Sequence, residues 1–331
     1  MKPYGGSKWG IKYAPLFALL LLLLIVSIIL SLAIGSADIP LTSVLKTLAG
    51  SEQQHETIVL RIRMPRVLMG ALVGAGLSVA GAVMQGLFRN PLADPYITGT
   101  STGAALGAAL AMLFLPFYGL RPVMAFAGAM GATLLVYRIS KVENRVPVTS
   151  LLLVGIAVSL FLSALLSLLM YLMREDVYGM VFWLMGGLEV DISRVYLIAI
   201  PLMISFIPVY IYSGDLNAIL FGEETAHGLG VEVEAMKMRL LVLAALITAL
   251  CVAFTGTLGF VGLIIPHITR TMVGPDHRIL IPLSAIIGAI FLIWMDALSR
   301  TAGVPVGVLT ALCGAPFFIY LLKRRSYGFG E

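Results

Sequence analysis

Few residues in this chain have the type and spacing to do chemistry. The histidines are His55, His227, His267 and His277, and none has a second metal-type ligand at a helical spacing. His267 follows Pro266, which suits a histidine at a helix end. Both cysteines, Cys251 and Cys313, lie inside apolar runs and read as small core hydrophobes. No Gly-x-x-x-x-Gly-Lys loop occurs, so the chain has no phosphate cradle of its own. Catalytic and metal-ligating residues are therefore expected to be absent. One acid interrupts an apolar run: Asp296, four residues before Arg300, a spacing that sets both on one helix face. Ionisable residues inside membrane spans are costly and commonly functional. Their scarcity here argues against a proton-coupled carrier, and Asp296 with Arg300 reads as a local ion pair.

Two stretches carry more. Residues 61–107 read RIRMPRVLMGALVGAGLSVAGAVMQGLFRNPLADPYITGTSTGAALG. Arg61, Arg63 and Arg66 open it and can meet carboxylates of a partner. A charge-free run rich in Gly and Ala follows, which lets helices pack closely, as do the spaced pairs Gly70/Gly74, Gly103/Gly107 and Gly303/Gly307. FRNPLADP then puts Asn90 where a helix must end. The second stretch, residues 213–237, is SGDLNAILFGEETAHGLGVEVEAMK. Asp215 can cap one short helix, Glu223 and Glu224 favour the start of another, and Gly228 and Gly230 can end it. Leu216, Ile219, Leu220, Phe221 and Leu229 are apolar for a loop and could fill a groove on a partner.

The elements that position these residues follow from composition. Of 331 residues, 60% are hydrophobic and 12% charged, where a soluble domain carries about 25% charged. Mean hydropathy is +1.01. This is a polytopic membrane protein, read as one domain over residues 1–331. Charge-free intervals run over 13–37, 67–88, 95–120, 122–137, 146–173, 195–214, 240–269, 279–295 and 301–322. The first is too long for a signal-peptide core and reads as a retained helix. Interval 240–269 is long and holds Thr255-Gly256-Thr257-Leu258-Gly259, so it is either one long helix or two around a glycine turn. Both chain ends are basic, which favours an even count with both termini cytoplasmic. Ten spans put 14 of the 22 Lys and Arg residues inside. Residues 41–49 are expected as a short external helix capped by Thr42 or Ser43. Asp176 to Glu189 is expected as an external lid or re-entrant segment.

These residues also compose a familiar order. RMPR at 63–66, GAGLSVAGAVMQGLFRNPLADPYITG at 74–99, FGEETAHGLGV at 221–231, GFVGLIIPHITR at 259–270, DHR at 276–278 and PVGVLTALCGAPFFIYLLKR at 305–324 resemble the FecCD-type permeases. These are membrane-spanning subunits of ABC importers for iron–siderophore complexes, haem and cobalamin. The resemblance implies an all-α fold of ten transmembrane helices in the cobalamin-importer-like, type II arrangement. It implies a homodimer in the inner or plasma membrane, two ATPase subunits on the cytoplasmic side and a substrate-binding protein outside. ATP and Mg would sit in the ATPase subunits, and this chain would hold no cofactor. The resemblance places a cytoplasmic gate at Asn90, Leu92, Thr149 and Ser150. It places ATPase coupling at Leu220, Phe221, Gly222, Glu223, Glu224, Ala226, Leu229 and Gly230, and docking of the binding protein at Arg63, Arg66 and Arg300. A competing reading is a stand-alone secondary transporter or channel, which would need buried acids and no partner loop.

Overall fold

A computed structural model describes residues 6–115, 118–143, 145–173, 177–188 and 190–326. Fourteen α-helices form, and no β-strand among the described residues. In order they are α1 (Gly6–Ala33), α2 (Leu41–Leu48), α3 (Met64–Leu87), α4 (Thr100–Phe114), α5 (Arg121–Ser140), α6 (Val148–Leu172) and α7 (Val177–Leu184). Then come α8 (Ile192–Ile211), α9 (Ser213–Leu220), α10 (Glu223–Gly228), α11 (Val233–Thr255), α12 (Val261–Val273), α13 (His277–Ala302) and α14 (Val306–Ser326).

Seven helical stretches, in α1, α3, α5, α6, α8, α11 and α13, are long and apolar enough to cross a bilayer. Helices α4 and α12 and the Val306–Tyr320 part of α14 are apolar but shorter. At 1.5 Å per residue a crossing of about 30 Å takes about 20 residues. The 15 residues of α4 and the 13 of α12 fall short of that. Non-helical backbone precedes each: the turn around Asn90 before α4, and Gly256 to Phe260 before α12. The interval 240–269 thus resolves into two helices around the glycine turn.

Helix α3 is the core. Its span is 78% buried, against 22% for that of α1 and 17% for that of α6. The cause is its small residues. A Cβ on Gly74 would overlap the carbonyl oxygen of Gly288, and one on Gly81 that of Gly262, so α13 and α12 lie backbone to backbone on α3. Of the spaced pair Gly70/Gly74, only Gly74 makes this approach; space at Gly70 is ordinary.

Local details depart from the sequence expectations. The span containing α3 starts ten residues early, because Thr57–Arg63 forms a π-helical stretch continuous with it. Helix α2 is preceded by Pro40 at the cap, with no side-chain cap bond; Thr42 and Ser43 lie inside it. Proline suits a helix start because its missing N–H has no helical partner there. Asp215 lies in the first turn of α9, whose cap position is Tyr212. Of the expected segment from Asp176 to Glu189, both named ends lie outside the described residues, and its middle forms α7.

Candidate functional site

One face of the bundle gathers the ends of α1, α11 and α13 and the starts of α3, α5, α8 and α14. They surround a cavity of about 1070 Å³. Arg63, Arg66, Arg121, Arg194 and Arg300 all line it, with Trp183 of α7.

The three arginines singled out from the sequence do converge here, but their donors are turned inward. Arg63 is 3% exposed. Its Nη1 donates to the carbonyls of Leu32 at 2.7 Å and Ala33 at 2.8 Å, and its Nη2 to that of Ala37. These carbonyls leave the end of α1, where helical partners run out. Arg300 serves the same end, donating from Nη1 to Ile34 O at 2.9 Å and from Nη2 to Ser31 O at 2.9 Å and Ser31 Oγ at 2.7 Å. Asp296, fully buried, accepts from Arg66 Nε at 2.5 Å and pairs with Arg300 Nε at 2.9 Å. The local pair expected between Asp296 and Arg300 is present, and Arg66 joins it from α3. The guanidinium groups of Arg63, Arg66 and Arg300, named above for docking, thus bond within the chain. Arg121 and Arg194 went unremarked in the sequence. Their signal was position, since each opens a span that starts at the same face as Arg63.

The connection between α3 and α4 meets the break between α11 and α12. Tyr96 follows the FRNPLADP turn, and its hydroxyl bonds both backbone groups of Leu258 in the 256–260 break. Asp94 accepts from the Tyr96 amide at 2.8 Å, and the surrounding protein pushes its carboxyl up to about 6 by desolvation, against the pull of that amide. The break also grips α7: Thr257 Oγ1 donates to Leu184 O at 2.5 Å, and the Gly187 amide to Thr255 O at 2.8 Å.

The opposite face holds the expected gate and coupling residues. Asn90 Oδ1 accepts from the Leu92 amide at 3.0 Å, closing the turn after α3. Thr149 is exposed and Ser150 partly so, both in the first turn of α6. The structure joins the two segments behind these residues: Phe88, Val146, Val148 and Leu151 line one small apolar pocket with Lys237. In the coupling stretch, Leu216 and Ile219 are buried at 0% and 1% exposure. They anchor α9 to its own chain, which corrects their reading as groove-filling residues. Ala226 anchors α10 in the same way, while Phe221 and Leu229 stand out at 79% and 61% exposure. Gly230 takes φ +88° after α10, as a helix-ending glycine does. Asn217 ties α9 to the start of α13, accepting from the His277 amide at 2.9 Å and donating to Asp276 Oδ1 at 2.6 Å.

With fold and geometry in hand, comparison with known proteins gives one answer. The model of the FecCD transport family matches residues 23–324, and the chain belongs to that family. It is 45% identical over 283 residues to the cobalamin import system permease protein BtuC of Halobacterium salinarum, covering 84% of this chain and 76% of that one. It is 36% identical over 302 residues to the Fe(3+) dicitrate transport system permease protein FecD of Escherichia coli, covering 89% and 94%. A structure solved as an inward-facing conformation of a metal-chelate type ABC transporter superposes with TM-score 0.84 at 32% identity, covering 94% of this chain and all of that one.

Proposed function

We propose that this chain is the membrane-spanning permease subunit of an ATP-driven ABC importer that moves a metal chelate into the cytoplasm. It works as a homodimer with ten spans per copy in the inner or plasma membrane, both termini inside. Two ATPase subunits bind the face that carries α9 and α10, and they hold ATP and Mg. A substrate-binding protein docks at the arginine-lined cavity on the other face, at Arg63, Arg66 and Arg300. Asn90, Leu92, Thr149 and Ser150 narrow the inner end of the path. Family membership and relatives named for cobalamin and ferric dicitrate support the class of cargo.

The observation that carries the reading is the pair Phe221 and Leu229. Large apolar side chains 79% and 61% exposed, each just past the end of a short helix, are a surface made for a partner's groove. The alternative, a carrier acting alone, has little to work with: among the described residues the acid buried in a span, Asp296, is held by two arginines. Co-purification with the ATPase subunit tests the proposal. Wild type should bring it down and Leu229→Asp should not. Uptake of ferric citrate or cyanocobalamin by vesicles holding this chain alone would favour the lone carrier.

A further inference from the structure

Among the described residues, Arg63, Asp296 and Lys237 are charged side chains held buried. Arg63 and Asp296 belong to the arginine face. Lys237 lies at the other end, just past the first turn of α11. Its ammonium is 2.8 Å from Glu223 Oε1, at the start of α10, and 2.9 Å from Glu234 Oε1 on its own helix. The second oxygen of Glu234 accepts from the backbone N–H of Val146 at 3.0 Å. Val146 leads through Pro147, the cap of α6, straight to Thr149. The apolar stem of Lys237 lies in the pocket with Phe88, which leads straight to Asn90. One side chain therefore reaches α10 by charge, α6 through Glu234 and the end of α3 by packing.

We propose that Lys237 is the joint through which a displacement of α10 reaches both gate segments. This rests on the reading of residues 213–237 as the ATPase-coupling stretch. An ion pair in open water gives way easily, because water replaces either partner. Here the lysine side chain is 7% exposed, so drawing Glu223 away takes one of two carboxylates from a desolvated cation that water cannot readily reach. Helices α10 and α11 then move together. The next link is stiff as well. Pro147 fixes its own φ and holds Val146 extended, so a pull on the Val146 amide passes into the start of α6. The two halves of the coupling stretch have different anchors: Asn217 fixes α9 to α13, and Lys237 fixes α10 to the gate segments. A push on α10 relative to α9 is thus converted into motion of α6 and the end of α3 relative to the core.

The test uses the full chain assembled with its ATPase subunits. Spin labels go on Thr149→Cys and Ser51→Cys in a Cys313→Ser background. The distance between them is read without nucleotide and with ATP plus vanadate, and assembly is scored by co-purification. The parent should show a nucleotide-dependent shift. Lys237→Met keeps the apolar stem and removes the charge; the complex should assemble, and the shifted fraction should fall about tenfold. Lys237→Arg should restore it. Glu223→Gln removes the link to α10 alone and should also lower the shifted fraction, and the double variant should be no worse than Lys237→Met, which already lacks that link. Glu223 is 41% exposed on its side chain, so its variant keeps the test open if Lys237→Met fails to fold. A full shift in assembled Lys237→Met or Glu223→Gln complexes overturns the inference and leaves the coupling reading standing. Normal assembly and a normal shift in Leu229→Asp would instead remove the coupling reading and the inference with it.

Discussion

The hydroxyl of Tyr96 donates to the carbonyl oxygen of Leu258 at 3.1 Å and accepts from the amide of the same residue at 3.3 Å. Leu258 is 1% exposed and lies outside any helix, so its backbone groups need partners from within the protein. One phenol supplies both. Tyr96→Phe removes them together. An unpartnered buried group costs about 1–3 kcal/mol, so thermal unfolding in detergent should shift down by several degrees. Proteolysis between residues 255 and 260 should quicken alongside. An unchanged Tm would mean that this clasp is not what holds the two breaks together.

The carboxylate of Asp296 makes a second claim that can be measured. It is fully buried between Arg66 and Arg300. Removing one partner of a buried ion pair costs about 3–5 kcal/mol, because the other charges stay behind unpaired. Asp296→Asn should therefore lower the unfolding midpoint strongly. The ends of α1 and α13 and the start of α3 should loosen together in hydrogen exchange, since Arg63 and Arg300 hold the last carbonyls of α1. If the arginines served a partner alone, Asp296→Asn would leave the isolated chain as stable as before.

How much of this was legible depended on how local each cause is. Helices within charge-free intervals could be read directly, because about 20 apolar residues in a row have one physical solution in a bilayer. The close packing of α3 could be read too, since Gly and Ala at helical spacing admit neighbouring backbones. The pair Asp296 with Arg300 is four residues apart and was visible. Arg66 lies 230 residues from Asp296, and nothing in a linear pattern joins them. The π-helical start at Thr57–Arg63 was hidden because Arg61 and Arg63 look like loop charges until the end of α1 is seen to need donors. In the coupling stretch the apolar residues were identified, but not their directions. Leu216 and Ile219 face the core and Phe221 and Leu229 face out, a sorting set by how α9 seats on α3 and α13.

Topology follows from the two faces. Ser51 and His227 are both exposed, Ser51 just beyond α2 near the arginine face and His227 on α10 at the other. With Cys313 replaced, Ser51→Cys and His227→Cys should react with a membrane-impermeant maleimide from opposite sides of intact cells. Cys251 is buried and should stay silent in both. Labelling of both positions from outside would break the assignment of faces.

Asp94 supplies a pH dependence of definite sign. Its carboxyl is raised from an ordinary value of 3.8 to about 6 by desolvation. The folded protein therefore holds this proton more tightly than the unfolded chain does. The stability this contributes is fully present below about pH 4, falls as pH rises toward about 6, and is absent above. Asp94→Asn keeps an oxygen for the Tyr96 amide, now bonded at 2.8 Å, and cannot ionise. In detergent the unfolding midpoints of wild type and variant should lie close together near pH 4. They should separate between pH 4 and 6, with the asparagine form the more stable, and stay apart above that. The turn that Asp94 closes leads into Tyr96 and its clasp on Leu258, so proteolysis in the 255–260 break should follow the same profile in wild type and be flat in the variant. A midpoint difference that does not vary with pH would show that Asp94 keeps its ordinary acidity and that its role is the turn alone.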